Sequence, residues 1–222
     1  MTRGEKILGW LYYVFQLVFL GVIVVVINYL LQSPLRDGQL NFLVFAINFI
    51  AVTVIFRKFL LRNLQVTIDS FFRTLRSAGL CFVLYYLCSI LVGILIILVK
   101  PDFANANDST IADMLQQDQL LMGIGTVILV PIVEETLYRG LLFGTIYQRN
   151  KFLGYFVSIL VFALIHIVGY IGTYDLTSFA LSLLQYLPAG FFLAWAYVRA
   201  DSIWAPIIMH MTINQIGILA VG

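Results

Sequence analysis

The residues best suited to chemistry stand in three short runs. Glu134, Glu135 and Arg139 share PIVEETLYR, His166 closes FALIH, and His210 and Asn214 begin and end HMTIN. Each run lies inside a long apolar stretch, and a charged side chain at the centre of a membrane helix costs about 2.5–3.5 kcal/mol. Two adjacent acids at that depth demand a reason. At helical spacing Glu135 and Arg139 are i and i+4, the favoured order for an acid–base pair, so Arg139 can neutralise Glu135. Glu134 points about 100° away and finds no partner on its own helix. His166 and His210 are the two histidines of the chain, and both fall in apolar runs. His210 and Asn214 are again i and i+4 and share one helix face. A carboxylate outside the ion pair can serve as a base, and imidazole and amide donors can stabilise a developing oxyanion.

The elements that must hold these residues follow from composition. Of 222 residues, 62% are hydrophobic and 11% charged, with a mean hydropathy of +0.99. Soluble domains use roughly 45–50% apolar and 25% charged residues, so a water-soluble fold is excluded. Apolar runs at 7–31, 40–56, 79–99, 120–147, 152–171, 178–198 and 202–220 predict an all-α, polytopic transmembrane bundle of about seven spans. The first run is longer than a signal-peptide core and no small-residue cleavage site follows it, so it is expected to stay in the mature protein. Residues 100–118 read as a polar external loop. That loop divides an N-terminal three-span region, 1–118, from a C-terminal region, 119–222, whose four helices hold the candidate cavity.

Arg3, Lys6, Arg57, Lys58, Arg62, Arg73, Arg76, Arg149, Lys151 and Arg199 fall at one set of span ends, while the other set carries Arg36, Lys100 and six aspartates. Short loops retain Lys and Arg on the cytoplasmic side, which predicts a cytoplasmic N-terminus and localisation in the plasma membrane. The net charge of +2 is accounted for by this topology and implies no nucleic acid. Residues 57–78 are too charged to cross. Leu61, Leu64, Ile68, Phe72 and Leu75 share one helical arc there, as in an interfacial helix on the inner leaflet or a solvated linker helix. Cys81 and Cys88 are seven positions apart on one span, roughly 10 Å along its axis and beyond disulfide reach.

Depth can be measured from the basic ends. Glu134 lies 15 residues before Arg149 and His166 lies 15 residues after Lys151, so both sit about 22 Å along their helices. Asn214 lies 13 residues after Asp201, within a turn of that level, with His210 one turn nearer the basic end. Taken singly, a His or Asn at this depth can be an interhelical hydrogen-bonding residue, and a Glu/Arg pair can be a clamp or part of a transport path. Their conjunction at matched depth favours a site.

The three runs, in this order, resemble the motifs EExxxR, FxxxH and HxxxN of the CPBP family, the CAAX proteases and Abi-type bacteriocin-processing or immunity enzymes. The resemblance covers roughly residues 120–220. It implies an intramembrane endopeptidase acting on a membrane-associated peptide or protein, of CAAX type or a peptide precursor. Glu134 and His166 would activate water, His210 and Asn214 would stabilise the oxyanion, and Glu135 with Arg139 would support the site. No cofactor is expected. The alternative is zinc held by Glu134, His166 and His210, a two-His, one-carboxylate set with room for water, although no HExxH pattern is present. Two other functions fit the same polar cluster: a non-catalytic immunity or regulatory module that binds a sensor or peptide, and a proton-coupled transporter. The transporter lacks the internal repeat that many such proteins have.

The alternation of basic and acidic ends generates a topology prediction. Cysteines placed at Asn105 and Asp175 should react with an impermeant thiol reagent on intact cells, and cysteines at Asn63 and Asn150 should not. Labelling from outside at Asn63→Cys would reverse the orientation.

Overall fold

The computed structural model describes residues 1–31 and 34–221. Nine helical elements follow one another, and there is no strand among the described residues. Helix α1 (Arg3–Leu30) opens with a capping box in which Thr2 and Glu5 satisfy each other's backbone N–H groups. Next come α2 (Asp37–Ile55), α3 (Arg57–Asp69), α4 (Phe71–Val99) and α5 (Ala106–Gln117). Helix α6 (Gln119–Tyr147) carries the first motif and α7 (Lys151–Ile167) the second, and a 3₁₀ turn at Val168–Tyr170 closes α7. Helices α8 (Leu176–Ala200) and α9 (Trp204–Val221) complete the bundle.

Six of these are long and apolar enough to cross a bilayer: α1, α2, α4, α6, α7 with its 3₁₀ turn, and α8. The stretch expected as a seventh span is α9, 18 residues long and packed against α4, α6 and α8. The protein is therefore an integral membrane protein built as a polytopic helical bundle. Its outward side chains are those a lipid solvent accepts, such as Leu91 and Leu98 on α4, 68% and 76% exposed.

Helix α6 is the centre, touching α1, α2, α7, α8 and α9. Every residue from Glu135 to Phe143 is buried. The close approach of α7 and α8 depends on Gly190, where a Cβ would stand 2.9 Å from the Cα of Ile159. The two sequence regions also share one core, because α4 packs along α8 and α9 while α2 packs along α6.

Two expectations are corrected. Residues 100–118 are not simply a loop, since they contain α5. Asn105 caps that helix by accepting from the N–H groups of Asn107 and Asp108, and Leu115 is buried beneath it. The 57–78 segment is not one helix either, because the chain breaks at Ser70 (φ −132°, ψ 42°). Helix α3 buries Phe59, Leu60, Asn63 and Thr67 against protein and leaves Leu61 and Ile68 outward, 58% and 62% exposed. The polar pair on its inner face explains the docking. Asn63 Oδ1 accepts from Ile203 N at 3.0 Å, and the Thr67 and Ser202 hydroxyls are 2.7 Å apart. Helix α3 thereby braces the turn that launches α9, where Asp201 takes a left-handed conformation (φ 56°). Asn63 and Asn105 are buried, so the exposed Lys58 and Asp102 are the better positions for thiol probes.

The charged ends differ in kind. The two cations at the acidic end are both paired, Arg36 with Asp118 and Lys100 with Asp175 at 2.7 Å. The Lys100 ammonium, helped by Ser178, holds the Asp175 carboxyl well below the usual carboxylate range. Among the described residues no cation of the basic end has such a partner. Cys81 is buried, Cys88 half-buried, and both are free thiols.

Candidate active site

Helix α6 carries two π-helical stretches, Gly125–Leu129 and Glu135–Phe143, and the first motif starts at Glu134 and runs into the second. Such stretches often mark functional sites, and here the first has a local cause. Val130 N donates to the carbonyl of Gly125, five residues back. In that register the next donor would be residue 131, which is proline and has no N–H. The Thr126 carbonyl is thereby left over, and Asn214 Nδ2 donates to it at 2.8 Å. Asn214 thus ties α9 to the stretch before Pro131, with its second N–H and its own oxygen still available.

Glu135 and Arg139 are both fully buried, and Arg139 Nη1 donates to Glu135 Oε1 at 2.9 Å. The same oxygen accepts from His210 Nδ1 at 2.8 Å. One carboxylate oxygen therefore joins the first motif to the third. Arg139 also reaches the carbonyls of Ala189 and Gly190 on α8 at 3.4 Å, and its guanidinium lies 4.2 Å from the centroid of the Phe162 ring. That cation–π contact couples the first motif to the second.

Glu134 makes no hydrogen bond to any described residue, and its Oε2 is a buried oxygen without a partner. The second oxygen of Glu135, Oε2, is also buried and unpaired, so the two acids differ by the doubly engaged Oε1.

His166 is fixed by its own motif. Its Nδ1 lies 2.7 Å from the carbonyl of Phe162, which can only accept, so Nδ1 carries the proton and Nε2 is left with a lone pair. The imidazole stacks on Tyr186 of α8, centroids 4.5 Å apart and planes 27° apart. Tyr186 in turn hydrogen-bonds Asp108 (2.9 Å) and Asn107 (3.1 Å) of α5. A helix outside the matched motifs thus holds the aromatic plate behind His166.

The structure brings Glu135, Arg139 and His210 together around one oxygen and gathers Phe162 against Arg139, His166 and His210. It places no hydrogen bond between Glu134 and His166 or between His210 and Asn214. Among the described residues no three His, Cys, Asp or Glu side chains are close enough to hold one metal ion. Phe162 and Tyr186 were missed as site residues because apolar spans are full of aromatic side chains. The orphaned carbonyl near Thr126 did have a signal, in Pro131.

Fold and site together define a membrane-embedded helical bundle whose polar residues gather around one buried carboxylate oxygen. Residues 116–216 match the family described as Type II CAAX prenyl endopeptidase Rce1-like, and this stretch holds all seven motif residues. The matched stretch is the C-terminal region that carries the three motifs, so the chain is similar to that family there. It is 31% identical over 109 residues to YdiL of Bacillus subtilis (strain 168), named as a candidate membrane peptidase, covering 49% of this chain and 40% of the relative. It is 30% identical over 132 residues to the UPF0177 protein YxdF of Lactococcus lactis subsp. lactis (strain IL1403), covering 57% of this chain and 66% of the relative. Each match spans less than two thirds of the relative's own length. No solved structure matches the chain.

The geometry predicts unequal carboxylates. Glu135→Gln leaves Arg139 buried without its counter-charge, a change that costs about 3–5 kcal/mol, whereas Glu134→Gln removes no hydrogen bond and should shift stability by less than about 1 kcal/mol. Denaturant unfolding of the purified variants checks this. Equal destabilisation would contradict the assignment.

Proposed function

We propose that the protein is an intramembrane endopeptidase that hydrolyses a peptide bond of a membrane-associated substrate, a CAAX-type protein or a peptide precursor. One observation carries this reading: of two adjacent intramembrane glutamates, the wholly buried Glu135 is bound by a cation and an imidazole, and the half-buried Glu134, its Oε2 enclosed, is bound by no described residue. A carboxylate with an enclosed, unpartnered oxygen is costly as packing and useful as a base.

In the proposed step Glu134 and the Nε2 lone pair of His166 orient a water, and Glu134 takes its proton as the oxygen adds to the substrate carbonyl. The carbonyl π pair moves onto oxygen. That oxyanion faces donors from the third motif, the free N–H of Asn214 and, when it carries a proton, His210 Nε2. Glu135 holds His210 Nδ1 and so fixes which nitrogen faces the substrate. Collapse of the tetrahedral intermediate breaks the C–N bond, and Glu134 returns the proton to the leaving amine. The bilayer is the setting, with the N-terminus cytoplasmic and the plasma membrane as the compartment.

We assign the chemistry no metal. The zinc reading keeps one point in its favour, since both histidines bind an acceptor through Nδ1, the pattern by which metal-binding histidines are oriented. The spread of Glu134, His166 and His210 speaks for direct activation of water. Chelator treatment of the purified enzyme, with elemental analysis and a cleavage assay, decides it. Activity should persist, and loss that returns with stoichiometric zinc would overturn the assignment.

The function itself is tested by mass spectrometry of membrane-associated peptides from cells carrying the wild type or Glu134→Gln. Glu134→Gln should insert and accumulate normally, while at least one cleavage product disappears and its precursor accumulates. Unchanged peptides, with the wild type expressed, would remove the enzyme reading in favour of a binding or immunity module.

A further inference from the structure

At the basic end α4 and α8 border a cavity of about 590 Å³ lined by Phe72, Arg73, Arg76, Ser77 and Arg199. Three guanidiniums from two helices face one space, and among the described residues none has a carboxylate within ion-pair distance. The Arg199 guanidinium stands 5.8 Å from the centroid of the Trp195 ring. Both cations at the opposite end are neutralised by aspartates. A charge bias needed only for orientation would leave cations dispersed, like Arg57 and Lys58, which do not line this cavity. Like charges that converge on a cavity repel one another unless an anion occupies it.

The surroundings say which anion. Phe71 and Phe72 stand beside the arginines, 55% and 84% exposed, with their rings 5.7 Å apart. Exposed aromatic rings beside arginines at a span end mark the level of lipid headgroups. Below them Ser77 is buried and presents a hydroxyl to the same cavity. A guanidinium fork matches phosphate oxygens in pairs. We propose that this cavity binds the phosphate headgroup of an anionic phospholipid from the leaflet at the basic end. The site is independent of the proteolytic reading, since none of its residues belongs to the three motifs.

The test uses the full chain purified in detergent and offered equal amounts of phosphatidylglycerol and phosphatidylcholine, with bound lipid counted by native mass spectrometry. The wild type should retain one phosphatidylglycerol in preference to phosphatidylcholine. Arg73→Gln/Arg76→Gln/Arg199→Gln should lower that retention at least about tenfold while eluting as the same monodisperse species. Arg57→Gln/Lys58→Gln, which removes two cations outside the cavity, should leave it unchanged. Equal retention of both lipids, full retention by the triple variant, or an equal loss in the Arg57/Lys58 variant would overturn the site. Displacement of the lipid by an equal concentration of inorganic phosphate would reassign it to free phosphate and overturn the lipid. A triple variant that aggregates is replaced by the single Arg76→Gln protein, for which retention equal to wild type likewise overturns the proposal.

Discussion

The structure turns on one carboxylate oxygen. Glu135 Oε1 accepts from Arg139 on its own helix and from His210 on α9, with Glu135 and Arg139 wholly removed from solvent. Two charges at that depth are tolerable only when paired and hydrogen-bonded. The requirement propagates outward: Arg139 needs the α8 carbonyls and the face of Phe162, Phe162 positions His166 by its own carbonyl, and His210 must stand on α9 at the height of Glu135. The helices are fixed around a polar knot, and apolar packing fills in around it.

That knot explains why the neighbouring acid is special. Along the chain Glu134 and Glu135 look alike, but the helix turns them apart, and only one meets both Arg139 and His210. Glu134 therefore keeps its lone pairs free for a water or a substrate, while one oxygen of Glu135 is already engaged by two donors. At the acidic end, by contrast, it is the cations that are all matched, Arg36 with Asp118 and Lys100 with Asp175.

Much of this was legible in sequence, for physical reasons. A membrane helix must satisfy its own backbone and show lipid an apolar face, so the spans announce themselves as runs, and every ionisable residue inside them stands out. The i, i+4 spacing of Glu135 and Arg139 predicts the ion pair directly. What was not legible depends on packing between helices. Depth alone placed Glu134 and His166 at one level with Asn214 and His210 close to it, but it could not show that His210 turns to Glu135 or that Asn214 turns to the carbonyl stranded before Pro131. Helix α5 hid inside a polar run because its buried face is narrow, and α3 buries a mixed face, Asn63 and Thr67 beside Phe59 and Leu60, while Leu61 and Ile68 point outward.

The central claim is that Glu135 and His210 act as a unit that joins α6 to α9. A double-mutant cycle on unfolding stability, with Glu135→Gln, His210→Gln and the pair, measures it directly. Residues sharing a buried network couple by roughly 0.5–3 kcal/mol, so the double variant should lose clearly less stability than the two single losses added together. Additive losses would mean that the two side chains do not share the bond, and would contradict the account.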